Sequence, residues 1–165
     1  MKKLMNKTWD QWVVTFGGVG YMKPAPGTWG TLAALPFVWA LSHAGIIVYM
    51  AVTIAVIGLG IFASQVYENS REGHDFSEIV IDEVAGILIT MTWLPMTWQS
   101  LIFGFFLFRF LDIWKPFPIR YLDRNVQGGV GVVIDDVAAG LVANIVLQVI
   151  YTKTMWLGVQ GITIQ

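Results

Sequence analysis

Apolar residues gather in five blocks along the chain, at about residues 29–41, 45–63, 84–94, 101–108 and 137–151. The blocks exceed ordinary strand length and show no sustained period-two alternation, so they read as helix. Gly58, Gly60, Gly86 and Gly140 punctuate them, and small residues of this kind let helix backbones approach closely. A closed β-barrel would need many more alternating segments. The pattern predicts an all-α fold, a compact bundle of about four or five apolar helices in one domain over residues 1–165. Short breaks at 42–45 and 95–97 predict helical hairpins. Longer polar stretches fall at 67–77 and 112–131, the second rich in proline and glycine.

Composition changes the solvent. Hydrophobic residues make up 56% of the chain and charged residues 13%, against roughly 45–50% and about 25% in ordinary globular proteins. A core of this size cannot hide so much apolar surface, which makes a bilayer the natural surrounding. Several blocks fall short of the ~20 residues that cross a membrane squarely, so their flanks must snorkel or the bilayer must thin. Trp29, Trp39, Trp93 and Trp98 lie near block ends, where tryptophan anchors the interface. No apolar run with a small-residue cleavage site follows the basic residues 1–7, so no cleaved signal peptide is expected.

Charge then orients the bundle. If the chain starts in the cytoplasm and each block crosses once, Lys2, Lys3, Lys7, Lys23, Arg71, Arg109, Lys115, Arg120 and Arg124 share one side. The other side receives only Lys153. This positive-inside pattern predicts a multi-pass membrane protein with a polar site at the cytoplasmic face. The net charge of −1 gives no electrostatic case for nucleic acid. Cysteine is absent and only His43 and His74 are present, which removes thiolate sites and multi-histidine zinc sites. His43 is expected at the surface; His74, beside Asp75, is a candidate general acid or metal neighbour. A bound metal would be a hard cation held by carboxylates, such as Mg²⁺ or Mn²⁺.

The acids sit where such an ion needs them. Asp82 and Glu83 precede the third block, Asp112 ends the fourth, and Asp135 and Asp136 precede the fifth. Ionised groups at that depth need pairing, hydration or metal, so they are candidates for function. Glu68 and Glu72 read instead as ordinary loop charge. Adjacent helical residues point about 100° apart, so one member of each acidic pair can face the interior. Glu83, Asp112, Asp135 and Asp136 form the candidate metal shell, with Asp82 in it or just behind it. The alternative is a structural salt-bridge network with Arg109, Lys115, Arg120 and Arg124.

Cations and backbone donors lie alongside. Arg109, Asp112 and Lys115 are spaced to share a helical face, and Pro116 then ends the helix with Lys115 at its lip. Arg109, Lys115 and Arg124 are candidates for holding phosphoryl oxygens, with Asp123 orienting Arg124. Lys115 could equally snorkel to headgroups. Thr28 or Thr31 could cap the helix that opens after Pro24 and Pro26, giving an anion-binding N-terminus. Gly128, Gly129 and Gly131 form a second candidate loop before Asp135.

These motifs, in this order, resemble phosphatidylglycerophosphatase A, a family of bacterial membrane lipid phosphatases, over nearly the whole chain. The resemblance runs through Gly18-Val-Gly20, Pro24-Ala-Pro-Gly-Thr-Trp-Gly-Thr-Leu32, His74-Asp75 and Asp82-Glu-Val-Ala-Gly86. It continues through Phe108-Arg-Phe-Leu-Asp-Ile-Trp-Lys-Pro-Phe-Pro-Ile119, Asp123-Arg-Asn125, Gly128-Gly-Val-Gly131 and Ile134-Asp-Asp-Val-Ala-Ala-Gly140. It implies Mg²⁺-dependent hydrolysis of phosphatidylglycerophosphate to phosphatidylglycerol and phosphate in phospholipid synthesis. Asp82, Glu83, Asp112, Lys115, Asp135 and Asp136 would be catalytic, and Thr28, Arg109, Lys115, Arg124, Gly128 and Gly129 would bind substrate. Two rivals stand beside it: a metal-dependent lipid phosphotransferase using the same acids, and a channel or transporter whose acids line an ion path.

Overall fold

A computed structural model describes residues 8–71 and 76–157. Among the described residues the chain is helical throughout, with no strand. The helices are α1 (Trp9–Val14), α2 (Pro26–Ser42), α3 (Ile46–Arg71), α4 (Ile81–Thr90), α5 (Trp98–Trp114), α6 (Ile119–Asn125) and α7 (Gly128–Lys153). The five apolar blocks became α2, α3, α4, α5 and α7. The short helices α1 and α6 lie in stretches without an apolar signal.

Helix α4 forms the centre. Every residue from Val84 to Thr90 is buried, and α7 and α2 pack along it. Its crossing with α7 is close because two glycines meet there: a Cβ on Gly140 would lie 2.5 Å from the Gly86 carbonyl oxygen. Gly86 is one turn beyond Glu83 and Gly140 one turn beyond Asp136. The crossing therefore sets both acidic pairs side by side.

The third block does not cross a bilayer as a full span. Ten residues of α4 rise about 15 Å, half of a ~30 Å hydrocarbon layer. The helix stops inside the bundle, where its last carbonyls need donors. Helix α7 supplies them. Asn144 Nδ2 donates to the carbonyls of Thr90 (2.9 Å) and Thr92 (2.8 Å), and Gln148 Nε2 donates to Thr92 at 3.0 Å. The Tyr49 hydroxyl of α3 donates to Leu88 O at 2.7 Å. These polar side chains let the chain turn through residues 91–97 and return as α5.

Two local expectations change. Gly128–Gly131 is not a loop but the first turn of α7, and its close fit against α3 explains why glycine is needed: a Cβ on Gly129 would collide with the Ile61 carbonyl. Helix α2 has no side-chain cap from Thr28 or Thr31. It opens at Pro26 behind Ala25, which adopts a left-handed conformation (φ 58°), and the Thr31 hydroxyl donates back to Gly27 O at 2.9 Å. Pro26 within the first turn suits a position whose N–H has no helical partner.

Apolar side chains also point outward in stripes. Ile47, Ile54 and Phe62 on α3, Phe103, Phe106 and Phe110 on α5, and Leu141, Ile145 and Val149 on α7 are all exposed. Helices α3 and α7, of 26 residues each, are long and apolar enough to cross a membrane.

Candidate active site

One end of the bundle collects the charge. The N-termini of α2, α4 and α7 and the C-termini of α3 and α5 all reach it, so successive long helices alternate in direction. Between them lies a cavity of about 570 Å³. Its wall includes Gly27, Glu68, Asp82, Glu83, Arg109, Asp112, Lys115, Asp123, Arg124, Gly128 and Asp135.

The acids expected to converge do so. Asp82, Glu83 and Asp136 each offer an oxygen within 4.8 Å of the others, and so do Asp112, Asp135 and Asp136. Asp136 belongs to both groups. Helix geometry is responsible: Asp82 and Glu83 occupy the first turn of α4, Asp112 the last turn of α5, and Asp135 and Asp136 the third turn of α7.

Cations hold the rim. Arg109 Nη1 lies 2.7 Å from Asp112 Oδ2 and 3.4 Å from Glu83 Oε1, bridging α5 to α4. Helix α5 ends at Trp114, and Lys115 turns left-handed (φ 46°) ahead of Pro116. That turn places the Lys115 ammonium 2.6 Å from Asp135 Oδ2 and in contact with Asp123. Burial works against the Lys115 charge, but its hydrogen bonds to Asp123 and Asp135 prevail and raise its pKa above the ordinary lysine value. Asp123 thus serves Lys115 rather than Arg124.

A salt-bridge network does not account for the interior. Among the described residues, no basic side chain lies within ion-pair distance of Asp82 or Asp136. Asp136 is 3% exposed, and its Oδ2 has no hydrogen-bond partner. Glu83 Oε2 is buried in the same condition. A buried carboxylate oxygen without a donor is costly, and a divalent cation is the natural complement to such a donor set. Oxygen donors alone suit a hard ion.

Other residues are less direct. Gly27 packs against Glu83, where a Cβ would collide with Oε1 and lie 3.2 Å from Arg109 Nη1. Thr28 is half-buried and does not line the cavity, while Gly129 is buried and its N–H donates to Gln65 Oε1 at 3.0 Å. His43 is exposed and tilted against Trp39, as expected of a surface residue. His74 and Asp75 lie outside the described residues.

Glu68 corrects the sequence reading. It is not loop charge but the 3%-exposed side chain of the last turns of α3, on the cavity wall. The buried stripe Gly60, Ser64, Tyr67, Glu68 continues the helical period to it, and that was the available signal. Asp10 of α1 is also buried and meets Arg71 at 3.5 Å, while the Arg71 guanidinium lies over the Tyr67 ring. Tyr67 in turn donates to Glu78 at 2.8 Å. This chain of contacts ties α1 and the α3 terminus together beside Glu68.

A family model described as phosphatidylglycerophosphatase A matches residues 12–151, which include all of these groups except Asp10. The chain belongs to the phosphatidylglycerophosphatase A family. It is 40% identical over 147 residues to the Escherichia coli (strain K12) protein of that name, covering 88% of this chain and 85% of the relative. It is 42% identical over 132 residues to the Haemophilus influenzae protein of the same name, covering 79% and 81%. A Bacteroides thetaiotaomicron protein named as a candidate phosphatidylinositol-3-phosphatase is 36% identical over 141 residues, covering 80% and 87%. No solved structure matches. The two relatives of that name are lipid phosphatases, which places this chain among enzymes rather than channels.

Proposed function

We propose that the chain hydrolyses the terminal phosphate monoester of phosphatidylglycerophosphate, with Mg²⁺ held by its carboxylates, to give phosphatidylglycerol and inorganic phosphate. The observation that carries this reading is Asp136, a buried acid with an unpartnered oxygen at the meeting point of two carboxylate groups. The names of the relatives point to the same class of reaction. Each named lipid carries a phosphate monoester on a headgroup that is itself joined to diacylglycerol through a phosphodiester.

Glu83, Asp112, Asp135 and Asp136 would hold the ion, with Asp82 beside them. Asp136 belongs to both carboxylate groups, so it would serve an ion held by either. A divalent cation in this place supplies charge neutralisation and polarisation at the phosphoryl group. Arg109, fixed by Asp112 and Glu83, and Lys115, fixed by Asp123 and Asp135, present positive charge to the equatorial oxygens. Arg124 adds a third cation at the cavity mouth. Water attacks phosphorus in line, the bond from phosphorus to the glycerol oxygen breaks, and that oxygen takes up a proton as water gives one up.

Membrane residence is part of the proposal. Helices α3 and α7 would cross the bilayer, with the outward stripes on α3, α5 and α7 against lipid. Arg71, Arg109, Lys115, Arg120 and Arg124 share the site end and Lys153 ends α7 at the other, which supports a cytoplasmic-face site in a multi-pass inner-membrane protein. The decisive assay uses detergent-purified protein and phosphatidylglycerophosphate. Phosphate release that requires Mg²⁺ and stops with a chelator supports the reading, and no release with any divalent ion overturns it.

A further inference from the structure

A second cavity of about 600 Å³ adjoins the first and shares Lys115 and Arg124 with it. Its character is opposite. The first is lined by six acids, Glu68, Asp82, Glu83, Asp112, Asp123 and Asp135. The second contains Lys115, Arg120 and Arg124 and no carboxylate. Its other walls include Trp114, Phe117 and Tyr121, which are 60%, 86% and 60% exposed. Lys115 is already engaged by Asp123 and Asp135. Arg120 and Arg124 have no carboxylate within ion-pair range among the described residues, and Arg120 reaches only the Trp114 carbonyl, at 3.4 Å.

We propose that this basic, aromatic-walled groove binds the phosphodiester that links the substrate headgroup to diacylglycerol, with Arg120 as its principal ligand. The inference rests on the lipid-phosphatase reading above. A substrate of that class presents two phosphates of different charge. The terminal monoester is doubly charged and suits a metal-filled acidic cavity. The diester is singly charged, offers two free oxygens and cannot compete for the metal, so it suits guanidinium groups without counter-ions. Two adjoining cavities meet this demand in the order the lipid requires, monoester inside and diester at the rim. The exposed rings of Trp114, Phe117 and Tyr121 then stand where the glycerol backbone meets the acyl chains, the level at which aromatic side chains are stable.

The test separates diester binding from hydrolysis. In mixed micelles, Arg120→Glu is expected to raise KM for phosphatidylglycerophosphate about tenfold or more with kcat little changed, and Arg120→Lys to recover part of the loss. Glycerophosphoglycerol, a water-soluble diester without acyl chains or monoester, should compete with substrate in the wild type and not in Arg120→Glu. Its effect on tryptophan fluorescence reads the same groove without turnover. If the wild type fails to hydrolyse the lipid yet its fluorescence responds to the diester through Arg120, the functional reading fails and the groove stands. An unchanged KM and an unchanged diester response in Arg120→Glu overturn the groove. An equal loss of kcat in Arg120→Glu and Arg120→Lys does so too, since it marks a structural role.

Discussion

Gly86 of α4 and Gly140 of α7 lie backbone against backbone, so close that a Cβ on Gly140 would stand 2.5 Å from the Gly86 carbonyl oxygen. This contact is one turn away from Glu83 on one helix and from Asp136 on the other. The spacing between the two acidic pairs is therefore a consequence of helix packing and not of any loop. The placing of these acids depends on two residues that carry no functional group.

Substitution at that contact should cost activity beyond its cost in stability. A Cβ on Gly86 would also press on the Phe108 ring and lie 3.0 Å from Asp136 O. Gly86→Val is expected to destabilise by about 1–3 kcal/mol, the usual range for overpacking. It should also lower the rate at least tenfold per folded molecule, because the carboxylate groups part. Thermal unfolding in detergent together with a rate normalised to folded protein checks this; a variant that unfolds earlier but keeps its normalised rate would disconnect the crossing from the chemistry.

Asp136→Asn is expected to act in opposite directions with and without metal. In the apo protein it removes a buried acid that has no cationic partner among the described residues, so the melting temperature should hold or rise. Wild-type protein should be stabilised by Mg²⁺ or Mn²⁺ according to mass action, about 2.7 kcal/mol at a hundredfold excess over Kd. The variant should lose that shift, and a metal titration should lose both binding events if Asp136 serves two ions. An undiminished metal-induced shift in Asp136→Asn would remove this residue from the donor set.

Lys115 should behave as a fixed charge. Its pKa is raised in the folded protein, so its stabilising contribution is complete below the unfolded lysine value and disappears only as pH climbs through the higher folded value. Lys115→Met should therefore lower both stability and rate by a factor that stays constant from about pH 6 to 9. Rate profiles of the two proteins should run parallel across that window. A deficit that vanishes toward pH 9 would mean the lysine is already losing its proton there.

The buried end of α4 offers a purely structural test. Asn144→Leu withdraws the donor that satisfies the Thr90 and Thr92 carbonyls, leaving Gln148 to serve Thr92 alone. The expected loss is about 1–3 kcal/mol for a buried carbonyl left without a partner. Turnover per folded molecule should be retained, since Asn144 stands beyond the crossing from the cavity. Equal melting temperatures would show that water or another donor reaches Thr90.

The local part of the design is written in the sequence. Apolar blocks and glycine punctuation mark α2, α3, α5 and α7, because period and hydropathy are properties of neighbours. Asp82, Glu83, Asp112, Asp135 and Asp136 announce themselves because acids embedded in apolar helices need a reason. Pro116 likewise foretells the end of α5 at Trp114 and the turned-out Lys115. Other features needed the packed chain. Gly128–Gly131 reads as a loop until α3 provides a surface against which those glycines can continue as helix. The early stop of α4 depends on Asn144 and Gln148, which come from a helix far along the chain. Glu68 resembles loop charge until the stripe on α3 turns it inward beside the cavity. Asp136 was recognisable as an acid near a membrane face, but whether a cation reached it was decided by side-chain positions on other helices. Pattern is local and fixes the elements, whereas convergence is long-range and belongs to the packing.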